Sequence, residues 1–118
     1  MKSLFALCLV LVSLSVYAAT DPAKEAACNE FSNAAMNGQP TEIRLDKTLA
    51  SINLSYELGY TPEQMAKLQS KLASMIADGK ISLDGIERVA LFACMNDLDA
   101  EDKAPVKEFF ANLVNGTN

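Results

Sequence analysis

The chain has 118 residues, with 10 Lys and Arg against 15 Asp and Glu, no histidine and a formal net charge of −5. The acidic balance repels phosphate backbones and makes nucleic acid a poor partner. The missing histidine removes Ser-His and Cys-His nucleophile pairs and His-based metal sites.

The N-terminus opens with Met1-Lys2-Ser3, a short segment with one positive side chain, and from Leu4 to Val16 every residue is apolar or Ser. Val16-Tyr17-Ala18 then places small or β-branched residues at the −3 and −1 positions of a cut before Ala19. Residues 1–18 are therefore expected to be a cleaved signal peptide, leaving residues 19–118 as a single helical domain. A transmembrane helix needs about 20 apolar residues, and this run stops at Thr20-Asp21-Pro22. Cys8 follows Leu7 rather than a small residue, so a lipid anchor is not expected. The mature chain loses Lys2, which leaves 10 − 1 = 9 basic against 15 acidic residues, a net of −6. Its compartment is exported: periplasmic in a bacterium, secreted otherwise.

Two cysteines remain after cleavage, Cys28 and Cys94, 94 − 28 = 66 residues apart. Two cysteines in an exported chain usually pair, so one long-range disulfide is expected.

Helix starts and stops are legible along the mature chain. Asp21-Pro22 opens a first helix, Ala27, Cys28, Phe31, Ala34 and Ala35 share a face, and Asn37-Gly38 closes it. Thr41 is the expected cap of a second helix, in which Leu45, Leu49, Ile52 and Tyr56 repeat with helical period until Gly59. Thr61-Pro62-Glu63-Gln64 reads as a capping box for a third helix, with Met65, Leu68, Leu72, Met75 and Ile76 as its apolar stripe and Gly79 as its stop. Ser82 or Asp84 begins a fourth helix. From Val89 to Met95 it is apolar on every side, which predicts a place at the centre of the bundle. Asp97 to Asp102 reads as an acidic connection, and Pro105 as the start of a fifth helix bearing Val106, Phe109, Phe110, Leu113 and Val114. The expected fold is all-α, a small bundle of about five helices, with Leu49, Ile52, Leu72, Val89 and Phe110 in its core.

No residue set stands out as catalytic and no cofactor is expected; a non-enzymatic protein is the reading. Two segments have calcium-loop spacing. Around Asp78-Gly79 the ligand positions fall on Ser74, Ile76 and Gly85, and Ile and Gly offer no side-chain oxygen. The other candidate is Asp97, Asp99, Glu101 and Glu108, at positions one, three, five and twelve. There Asp102 stands where the loop needs Gly and Pro105 occupies position nine, so an acidic turn capping the last helix is the stronger expectation. Asn53-Leu54-Ser55 and Asn115-Gly116-Thr117 are glycosylation tripeptides that matter only in a eukaryotic secretory pathway.

Cys28-Asn29-Glu30-Phe31, and Asp84-Gly85-Ile86-Glu87-Arg88-Val89 ahead of Cys94, are short echoes of a known pattern. With the exported helical chain and single disulfide, they resemble the periplasmic acid-stress chaperones of the HdeA/HdeB type. This chain departs from that family in its longer cysteine spacing, its amphipathic tail in place of a lysine-rich end and its lack of tryptophan. The resemblance implies non-enzymatic binding of unfolding proteins at low pH. Protonating 15 carboxylates would carry the mature side-chain charge from −6 to about +9, and self-repulsion then loosens a small core. Two other roles fit an exported binding protein. One is an inhibitor or immunity protein set against a secreted enzyme. The other is a hydrophobic-ligand carrier with a cavity lined by Met65, Met75, Phe92 and Phe109. In the first two roles the partner is another protein, and no stable membrane anchor remains after cleavage.

Overall fold

Five stretches of helix-favouring sequence, each with a recognisable stop, produce five helices in the computed structural model, which describes residues 21–116. The segment read as a signal peptide, residues 1–18, lies outside the described residues, as does Thr117 of the second tripeptide. The helices are α1 (Pro22–Met36), α2 (Thr41–Ser55), α3 (Pro62–Ala77), α4 (Leu83–Met95) and α5 (Ala100–Asn115). Among the described residues there is no strand, and no helix is long and apolar enough to cross a membrane.

The caps follow from side-chain chemistry. Asp21 accepts from the Ala23 amide at 3.0 Å, and Ser82 from the Gly85 amide at 3.0 Å, which fixes Ser82 as the start of α4. Thr61 and Gln64 form the reciprocal capping box, at 3.2 and 2.9 Å. Two starts differ from expectation. Thr41 is already helical, and Pro40 stands at the cap with no side-chain bond. Helix α5 begins five residues before Pro105 because Asp99 and Asp102 form a second capping box. Carboxylates at a helix N-terminus satisfy free amides and meet the positive end of the dipole. Pro105 thus sits within α5, past the first turn, where it withholds the amide that the Glu101 carbonyl would otherwise receive.

Helices α1, α2 and α3 close with paired bonds from the two residues after the cap, as in Gly38 to Ala35 with Gln39 to Ala34. After α2 the residue in the left-handed conformation is Glu57, with φ 54°. A side chain there is strained where glycine would not be.

The centre of the bundle is α2, which packs on α1, α3 and α4. Leu45 and Ile52 are wholly buried and Leu49 and Tyr56 nearly so. Helix α4 does not occupy the centre as its composition suggested. Leu83, Ile86, Ala90 and Ala93 face inward, Val89 is half-buried against the core, and Leu91, Phe92 and Met95 are exposed. Excess apolar residues on a helix cover all its sides, but only one side here has neighbours. Leu49, Ile52, Leu72 and Phe110 are buried as expected; Val89 lies at the core's edge. Helix α5 packs chiefly on α3 and supplies Phe110, Leu113 and Val114.

Leu72 is 0% exposed within this single core. Leu72→Ala removes its packing and leaves a cavity, with an expected loss of about 2–5 kcal/mol. Urea denaturation measures it, and a loss under about 1 kcal/mol would refute the α3 stripe.

Candidate functional site

The bond between Cys28 on α1 and Cys94 on α4 lies against the C-terminal part of α2, at Ser51 and Ser55. Three small polar residues make this approach possible. Thr48, Ser51 and Ser55 fall at i, i+3 and i+7, so they share one face of α2, and all three are buried. Thr48 donates to the Arg44 carbonyl at 2.6 Å, which satisfies its hydroxyl inside its own helix. The Ser51 hydroxyl lies 3.5 Å from both sulfurs, and the Ser55 hydroxyl 4.0 Å from that of Cys28. The disulfide therefore rests on hydroxyls rather than on a hydrocarbon face.

Two further contacts fix α4 against α2. Arg44 makes a two-pronged pair with Glu87, at 2.9 and 2.6 Å, with Asp84 at 3.5 Å. The Glu87 side chain is only 12% exposed and that of Arg44 24%, so water screens this pair less than a surface one. Hydrogen bonding to Glu87 raises the Arg44 pKa further above its already high ordinary value, so the cation is permanent. Tyr56 donates its hydroxyl to the Val89 carbonyl at 2.8 Å, and burial pushes its pKa up.

Beyond the disulfide the surface opens into a groove of about 800 Å³. Its walls are α1 as far as Ser32, the end of α2, the end of α4 with the turn after it, and Lys103 of α5. Leu54, Leu91 and Met95, each exposed, reach it from two helices, and both cysteines line it. Asp21, Glu25, Glu57 and Asp97 stand around it, against Lys24 and Lys103. Lys103, its side chain only 15% exposed, places its ammonium 3.3 Å from the strained Glu57. A smaller hollow of about 570 Å³ lies between α2 and α3, lined by Leu45, Ala66 and Ala73 among others.

The calcium candidates are not brought together. Asp99 caps α5, Glu101 and Glu108 lie two turns apart along that helix, and Asp97 lies on the groove. Among the described residues no three acidic or cysteine side chains form a group that could hold an ion. Met65, Met75, Phe92 and Phe109 do not share a cavity in either hollow: the methionines are half-buried against the core, and the phenylalanines are 55% and 38% exposed. The Asn53 tripeptide is built into the fold. Its amide holds the backbone of Tyr60 at both N–H and C=O, and Ser55 is buried.

No family model, curated protein or solved structure matches the chain. The site therefore rests on its own residues. Sequence reasoning found the two cysteines but missed Thr48, Ser51 and Ser55, whose helical spacing on one face was the available signal. It also missed the convergence of Leu54 with Leu91 and Met95, which only the packing of α4 on α2 creates.

Two outcomes follow for the disulfide and for Tyr56. Reduction of a ring this long, 66 residues by sequence separation, should cost about 4 kcal/mol on the chain-entropy estimate. Two free thiols found by mass spectrometry of the unreduced protein would refute the bond. Tyr56→Phe leaves the Val89 carbonyl one partner short, a loss of about 1 kcal/mol. Because the folded pKa of Tyr56 lies above its unfolded value of 10.0, its stabilisation is full below that pH and declines as pH rises through the folded value. Alkaline denaturation should be shallower in Tyr56→Phe, though not abolished, since burial also raises Tyr60. Identical alkaline limbs would show that Tyr56 ionises freely.

Proposed function

We propose that this is an exported, non-enzymatic protein that binds another protein through the apolar surface at the end of α4. The observation that carries this reading is the exposure of Leu91, Phe92 and Met95 on one helix, at 43%, 55% and 72%, with Leu54 sharing the groove with Leu91 and Met95. Clustered apolar side chains held in water by a rigid scaffold favour association with a partner. The absence of histidine and the commitment of both described cysteines to a disulfide support a role without covalent chemistry. The position of Met65, Met75, Phe92 and Phe109, outside both of the hollows described, favours this reading over a hydrophobic-ligand carrier.

A photo-reactive residue at Phe92 should give a discrete protein adduct in the native envelope or secretion fluid at pH 7. The same residue at Glu63, on an exposed part of α3, should not. Adducts that do not depend on position would overturn the reading.

Acid-triggered chaperone action is a second reading with an observation of its own. The ion pairs among the described residues all join separate parts of the fold: Arg44 on α2 to Asp84 and Glu87 on α4, Lys47 on α2 to Glu30 on α1, and Lys103 on α5 to Glu57 after α2. Protonation of carboxylates in acid would release these ties while the disulfide persists. Under this reading the protein loses near-UV circular dichroism between about pH 4 and 2 and keeps an unrelated aggregating protein in solution over that range. Absence of protection at every acid pH leaves the neutral-pH binder alone.

A further inference from the structure

We propose that the groove beside the disulfide takes an apolar segment of another protein flanked by lysine or arginine, which rests on the protein-binding reading and names the partner's chemistry. The apolar part of the argument is Leu54, Leu91 and Met95, which are 38%, 43% and 72% exposed and converge on one hollow. The charged part is the rim. Lys103 is already paired with Glu57, and Asp21 is engaged in capping α1, which leaves Glu25 and Asp97 facing Lys24.

The backbone adds to this field. Helices α2 and α4 both end at the groove, and neither has a basic residue in its last turn. The bonds that close α2 engage its Asn53 and Leu54 carbonyls, whereas the end of α4 carries up to about half a negative charge from its unpaired carbonyls. Asn96 takes up one of these, the Phe92 carbonyl, at 2.9 Å. The positive end of α1 is at the same groove, but Asp21 and Glu25 stand in front of it. The sum is an apolar floor under a negative potential, in a chain whose overall charge is also negative.

That field selects among occupants. A second copy of the chain would bring the same acidic rim and the same negative charge, adding like charges to like. An acidic segment meets the same repulsion. A segment with apolar residues between basic ones gains on both counts. The disulfide, with Ser51 against both sulfurs, fixes the relative position of α1 and α4, so little ordering cost is left for the binding step.

The test uses the disulfide-bonded protein at pH 7 and a fluorescent amphipathic peptide of leucine and lysine, with a counterpart carrying glutamate for lysine. The leucine-lysine peptide should bind, and Leu91→Ser should weaken it about tenfold. Glu25→Gln with Asp97→Asn should weaken it about three- to tenfold and flatten its salt dependence. Asp46→Asn with Glu63→Gln changes net charge equally on exposed sites away from the groove and should leave the affinity within about twofold. Circular dichroism verifies that each variant is folded. Equal weakening by the two charge pairs would overturn the proposal, because bulk charge would then explain binding. So would a concentration-dependent dimer abolished by Leu91→Ser, or failure of both peptides to bind. Equal binding of both peptides, lost in Leu91→Ser, would refute the cationic partner while leaving the protein-binding surface at α4 in place.

Discussion

Helices α1, α3 and α4 are arranged around α2, and α2 can be central only because one of its faces is made of small hydroxyls. Thr48, Ser51 and Ser55 let α1 and α4 come close enough for their cysteines to meet above the helix. Larger side chains at these positions would push the two outer helices apart. Apolar residues of similar size would bury the face as well but leave the sulfurs without hydroxyl contacts. On the other faces Leu45, Leu49, Ile52 and Tyr56 receive α3 and α4 in the ordinary way, by exclusion of water. The groove, the disulfide and the Arg44–Glu87 pair all exist because α2 is held from several sides.

Much of this was legible in the chain, and the parts that were not share a cause. Helix ends were legible because the chemistry of caps is local: Asp21, Thr61 with Gln64, Gly38 and Gly79 each act on residues within a turn. The disulfide was legible because, with Cys8 set aside in the N-terminal apolar run, two cysteines admit one pairing. The centre of the bundle was not. Helix α4 is the most apolar segment and α2 one of the more polar, so composition points to the wrong one. Burial of Thr48 and Ser51 is possible because their hydroxyls find partners in the helix backbone and at the disulfide, which no count of apolar residues registers. The start of α5 was missed for a related reason. Pro105 looks like a first-turn proline, but the Asp99–Asp102 box is a stronger start and the proline is carried inside.

Charge in this protein is organised between elements rather than along them. Ion pairs within one helix steady that helix alone. Those of the described residues instead cross from α2, or the turn that ends it, to α1, α4 and α5. Glu57 is the extreme case, since it keeps a carboxylate next to Lys103 at a backbone position where glycine would be unstrained. Surface pairs contribute little to total stability, but placed this way they bias how the helices are oriented.

The disulfide also divides the chain topologically. It closes a ring that contains α2, α3 and most of α4, whereas α5 follows Cys94 and lies outside it. Its anchors are Phe110, Leu113 and Val114, with the Lys103 pair at one end, and Pro105 has already cost it a backbone bond. The last helix can therefore peel away as a unit of its own, with no covalent tie to restrain it, while the ring holds its shape. Amide exchange would then be layered, with α5 opening first and the buried amides of α2 exchanging only when the whole ring comes apart.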